Sequence, residues 1–197
     1  MLLPGVTAGL LSAAALALCG KLHGKRASAP VSAVSHWIWP QEARRTAHPA
    51  PRHLIAGLLI HLTMSVGWAA FNALTLSLVQ RGLAGSKGAA APGAVAGIAQ
   101  LSASAQRDEA DDDPRGERGR AAKRRGREQT HRAAVAATTT VAAAVGDYIV
   151  VPKRFTPGFE YHLPAMHIAS VYLAFGAGLM VPFLLGWRVA PGARATK

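Results

Sequence analysis

Four stretches of this 197-residue chain are long enough and apolar enough to enter a lipid bilayer, and a water-soluble core would not sort its apolar residues into such blocks. They run from Leu2 to Gly20, Leu54 to Leu78, Ala133 to Val151 and Ile168 to Trp187, each near the ~20 residues that cover ~30 Å of hydrocarbon. Half of the residues are hydrophobic and the net charge is +12, yet Asp147 is the only formally charged side chain inside the four segments. The pattern predicts an all-α polytopic membrane protein with four transmembrane helices.

A sequence pI of about 11.1 would ordinarily raise nucleic acid as a partner. Here the Lys and Arg residues lie in loops, where they hold one side in the cytoplasm and meet anionic lipid head groups. No nucleic-acid-binding motif accompanies them, so the expected partner is a bilayer with anionic head groups and not nucleic acid. Cys19 is the only cysteine, which excludes an intrachain disulfide. The first segment has no Lys or Arg before it, and Leu18 stands where a lipoprotein signal wants a small residue before the cysteine. It reads as a retained helix and not as a cleaved signal.

Three regions follow. Residues 1–78 carry helices 1 and 2 with an ordered loop, 21–53. Residues 79–132 form a low-complexity linker in which Asp108-Glu109-Ala110-Asp111-Asp112-Asp113 precedes a basic run from Arg115 to Arg127. Such composition buries too little apolar surface to offset ordering entropy, and the linker is expected to be disordered or weakly helical. Residues 133–197 carry helices 3 and 4 with an ordered loop, 152–167. Ala89 to Ala105 is too interrupted by Pro92, Gly93 and Gly97 to form a fifth span.

Small residues recur every fourth position in each span: Gly5, Gly9, Ala13 and Ala17; Gly57, His61, Ser65, Ala69, Ala73 and Ser77; Ala134, Thr138, Ala142 and Gly146; Ser170, Ala174, Gly178 and Pro182. At that spacing helix backbones approach closely in lipid, and the four stripes are expected to face one another.

Four spans put both termini and the linker on one side and the loops 21–53 and 152–167 on the other. His61 lies seven residues into its segment, about 10 Å from that loop face, and Asp147 about 6 Å from it. Ionisable groups in hydrocarbon turn inward and find partners, which makes His61 and Asp147 candidates for a proton relay or a polar core. Asp147 is within reach of His61, or of Lys153 and Arg154. The loop face adds His36, Trp37, Lys153, Arg154, Glu160, His162 and His167 as a second candidate site. His36, His61, His162 and His167 are also zinc-ligand types, although no H-E-x-x-H or H-x-x-E-H spacing supports a metal. No cofactor is required by the sequence. Pro152 should end the third helix, and Pro157-Gly158 suits a tight turn that would dock on Ser28 to Trp37.

On those residues, Ser28 to Trp37 and Asp147 to Glu160, the chain resembles a group of small bacterial inner-membrane proteins of unknown function. The resemblance covers the two loops and adjoining spans but not the charged linker, and it implies an inner-membrane location without a reaction. Eight Lys and Arg on the loop face against fourteen on the terminal face lean towards cytoplasmic termini, although Lys21, Lys25 and Arg26 after the first helix pull the other way. The sequence therefore reads as an integral inner-membrane protein of undefined biochemical activity, structural or accessory and more a non-enzyme than an enzyme. One alternative is a small transporter or proton-coupled channel subunit using His61 and Asp147, for which a homo-oligomer would help to enclose a path. The other is a membrane metalloenzyme with a His-rich loop face.

Overall fold

The computed structural model describes residues 2–45, 48–85 and 114–186. Their regular structure is entirely helical, and four helices are long and apolar enough to cross a membrane: α1 (Leu2–Leu22), α4 (Pro51–Gly85), α5 (Pro114–Val145) and α6 (Ala165–Leu184). Two short helices, α2 (Ser28–Ala33) and α3 (Pro40–Arg45), lie between α1 and α4. In lipid the backbone must satisfy its own hydrogen bonds, and Ala- and Leu-rich segments do so as helices. Pro51 and Pro114 each open a helix, at a position where the missing amide costs nothing. Gly24, at φ 65°, supplies the left-handed residue that turns the chain away from the end of α1.

The described residues fall into two compact units, one within Met1–Asn72 and Ala136–Lys197 and the other within Ala73–Val135. In the first, α1 is central. It buries Gly5, Ala8, Gly9, Ser12, Ala13 and Leu16. A Cβ at Gly5 would stand 2.6 Å from Val66 Cα of α4, and one at Gly178 of α6 would overlap the backbone of Ala8. Thr7 Oγ1 donates to Gly178 O at 2.8 Å across that second crossing. Backbones this close exchange dispersion contacts and weak polar contacts, which replace the hydrophobic drive that lipid cannot supply. Polar packing continues where Thr139 Oγ1 of α5 donates to Asn72 Oδ1 of α4 at 3.0 Å.

The small-residue stripes of α1 and α4 lie largely on the buried side, with Gly5, Gly9, Ala13, Gly57, Ser65 and Ala69 all buried. The third stripe does not. Ala134 and Thr138 are exposed, and α5 instead buries Ala136, Thr139, Thr140 and Ala143. The fourth is half right: Gly178 and Pro182 are buried while Ser170 is exposed, and Val171, Phe175 and Leu179 share the buried face.

Both ends of the segment read as a linker are helical. Residues 79–85 complete α4, and residues 114–132 are the first half of α5. Ala, Arg, Lys and Glu are strong helix formers, and the Glu128 carboxylate pairs with Arg132 one turn on. Propagating a helix from the apolar segment needs no new nucleus. Residues 86–113, with the acidic run and Ala89–Ala105, lie outside the described residues, as does Trp187.

On the loop face, α2 lies against Gly57 of α4, where a Cβ would collide with the Val31 carbonyl. A cluster of Leu16, Cys19, Val31, Val34, Phe159, Leu163 and Val171 joins the spans to both loops.

Candidate functional site

The two loops are cross-linked by side chains that reach backbone carbonyls. The His36 ring is 1% exposed, with Nδ1 2.7 Å from Ala33 O and Nε2 3.2 Å from Arg154 O. Trp37 Nε1–H donates to Thr156 O at 3.2 Å. Gly158, at φ 82°, forms the expected turn, and a Cβ there would press to 3.0 Å from His36 Nδ1. The 152–162 segment is thus seated on the segment that follows α2. Replacing His36 by Leu removes the ring N–H that donates to one of these buried carbonyls, so His36→Leu is expected to cost about 1–3 kcal/mol in thermal or denaturant unfolding in detergent.

Lys153 and Arg154 are exposed in a short turn after Pro152, and the Arg154 guanidinium lies 5.8 Å from the Phe155 ring centre. Neither forms an ion pair with Asp147. Glu160 accepts from Thr156 Oγ1 at 3.0 Å and from Tyr148 OH at 3.3 Å.

The four histidines considered as metal ligands do not converge, and among the described residues no three His, Cys, Asp or Glu side chains are grouped to hold a metal ion. His36 is occupied as above, and His61 is bonded to Ser12. His167 Nδ1 lies 3.1 Å from Nε2 of His23, with the rings edge to face. His162 buries Nε2 without a hydrogen-bond partner among the described residues, and that burial, with Lys25 nearby, holds its pKa below the usual imidazole value.

His61 and Asp147 do face a common space. His61 Nε2 lies 2.8 Å from Ser12 Oγ, which is itself 2.8 Å from Ala8 O. The Ser12 hydroxyl has one hydrogen, so donating it to Ala8 O leaves its oxygen to accept from His61 Nε2–H. Asp147 Oδ2 accepts from Tyr172 OH at 2.6 Å. The two ionisable groups do not bond to one another. Between them is a cavity of about 60 Å³, lined by Ser12, His61, Trp68, Asp147, Phe159 and Tyr172, among others. That volume admits a few water molecules. Asp147 lies in a widened π-helical turn, Gly146–Val150, that ends the third span, a form often met at functional positions. Gly146 makes room for the Trp68 ring, which would meet a Cβ there at 3.1 Å.

Sequence reasoning placed His61 and Asp147 on one leaflet but missed both of their partners. Ser12 and Tyr172 carry the only signal, a polar hydroxyl within an apolar segment, and that signal is shared with several residues that do nothing comparable. It also passed over His23, and over His53, which is buried against Ser35 Oγ at 3.2 Å and packs on the Trp39 ring.

Compared with protein families, curated proteins and solved structures, the chain matches none of them.

Proposed function

We propose that the protein is a multi-pass inner-membrane protein whose working site is the cavity between His61 and Asp147, and that it acts there as a proton-coupled transporter or channel subunit. The observation that carries this reading is the placement of two ionisable side chains, from α4 and from the π-helical turn after α5, on one small cavity, each hydrogen-bonded to a hydroxyl and neither bonded to the other. Ionisable groups are costly within a bilayer, and an ion pair that served only for packing would close the gap between them. A gap that admits water is what proton exchange between them requires. One four-helix chain encloses little space, so the reading includes a homo-oligomer that completes the path. Both termini lie in the cytoplasm, and Lys153 and Arg154 meet anionic head groups on the opposite side.

A purely structural or accessory role is the second reading. It is favoured by the loop face, where His36 and Trp37 spend their polar atoms on backbone carbonyls.

The test is an acid pulse applied to proteoliposomes loaded with a pH-sensitive dye. Wild-type protein is expected to take up protons faster than empty liposomes, and His61→Leu and Asp147→Asn each to slow uptake by about tenfold or more, the usual scale for losing a proton-transfer group. Uptake no faster than in empty liposomes, or unchanged in both variants, would leave the structural reading.

A further inference from the structure

We infer that the same cavity binds a small organic ammonium ion, with the cationic nitrogen at Asp147 and its alkyl substituents against the surrounding aromatic rings. The inference rests on the cavity being the working site and adds the chemical class of what enters it.

The lining excludes other classes in turn. Asp147 is its only carboxylate and no Lys or Arg lines it, so the one counter-charge open to an anion is a protonated His61, set against the Asp147 carboxylate on the same wall. A sugar or polyol needs several free donors and acceptors. The two serine hydroxyls on the wall are already committed to their own helices, Ser12 to Ala8 O and Ser65 to His61 O, each at 2.8 Å. A hard metal cation wants about six oxygen ligands, and the lining offers one carboxylate and a few engaged hydroxyls.

What the lining does offer is aromatic surface. Trp37, Trp68, Phe159, Tyr172 and Phe175 all border the cavity. Aromatic faces attract cations, Trp most strongly, and the attraction grows when water is excluded. Asp147 Oδ2 is taken by Tyr172, while Oδ1 has no donor among the described residues. One open carboxylate oxygen inside an aromatic wall suits a charge that is compact, poorly hydrated and wrapped in carbon. Methylated or short-chain ammonium ions have that form. The position of Asp147, near the end of its span, lets such an ion exchange with a proton there. Binding and proton movement would then compete for one carboxylate.

The experiment uses the full chain in detergent, with choline as the probe and its neutral isostere, in which carbon replaces the quaternary nitrogen, as the comparison. Binding is followed by tryptophan fluorescence at constant ionic strength. Saturable choline binding is expected, with no comparable binding of the isostere. Asp147→Asn should weaken it by about tenfold or more, the scale of a desolvated cationic contact. A melting temperature of Asp147→Asn close to that of wild type is expected to show that the fold survives the substitution, so that lost binding reports the lost carboxylate. Absence of saturable binding to wild type, equal binding of the isostere, or unchanged affinity in Asp147→Asn would each overturn the inference. The outcome also separates it from the proposed function. Choline binding without His61- and Asp147-dependent proton uptake upholds the site and sinks proton coupling; proton uptake without choline binding does the reverse.

Discussion

Phe159→Ala is expected to lower stability by about 3–5 kcal/mol, measured by thermal or denaturant unfolding in detergent. Phe159 is 3% exposed and packs with Leu16 of α1, Val31 and Val34 of the first loop, Leu163 of the second loop and Val171 of α6. No other aromatic side chain belongs to that cluster of buried residues. Removing its ring leaves a void among elements that come from three separated parts of the sequence, and the loops can relax into it only by losing their carbonyl cross-links. Its ring also stands 6.0 Å, edge to face, from His61, so the same variant should loosen the cavity wall. Phe155 provides the contrast. It is 45% exposed and touches the Trp37 ring edge to face, and Phe155→Ala should cost no more than about 1 kcal/mol. Equal losses in the two variants would mean that the loops are not packed as described.

The second large effect is expected at Gly57. A Cβ there would collide with the Val31 carbonyl oxygen and stand 3.1 Å from Ser32 Cα. Both are backbone atoms that cannot swing aside as a long side chain would. Gly57→Ala therefore has to push α2 off α4, at an expected cost of about 2–3 kcal/mol. Ten residues along the same helix, Gly67 has nothing within 4 Å of the corresponding Cβ. Gly67→Ala should be neutral or stabilising by up to about 1 kcal/mol, because Ala is the better helix former. Opposite signs at two glycines of α4 would be read from melting temperatures of the purified variants. Two losses of similar size would show that general overcrowding, and not the α2 contact, governs the result.

Much of the fold was legible because bilayer thickness and helix rise leave few ways to arrange four apolar segments. The stripe on α1 was legible too, since glycine at Gly5 and Gly9 marks close approach in a way that alanine does not. The third stripe failed for that same reason. In the run from Ala133 to Ala144 every residue is Ala, Thr or Val, so several registers show small residues at fourfold spacing. The register was decided by distant partners: Asn72, which takes the Thr139 hydroxyl, and Gly176, which receives Thr140. The candidate site divides similarly. Depth along a helix follows from counting residues, and so His61 and Asp147 share a leaflet. Which hydroxyl each would choose depends on how α1 and α6 rotate about their axes, and Ser12 and Tyr172 are supplied by those two helices. The loop histidines looked alike in sequence because nothing local distinguishes His36, locked between two carbonyls, from His167, paired with His23.

The proposed function requires that water reach the cavity at His61 and Asp147 while the outer faces of the four spans meet lipid. The most direct test is cysteine reactivity towards a small hydrophilic thiol reagent, in membranes, with Cys19 replaced by Ser. Ser65 is 4% exposed but borders the cavity, whereas Leu59 of the same helix is 60% exposed on the outer surface. Ser65→Cys is expected to react and Leu59→Cys to resist, reversing the order that bare exposure would give. A reactive Leu59→Cys beside an inert Ser65→Cys would mean that water bathes the helix surface and never reaches the cavity, and the proposed function would be wrong.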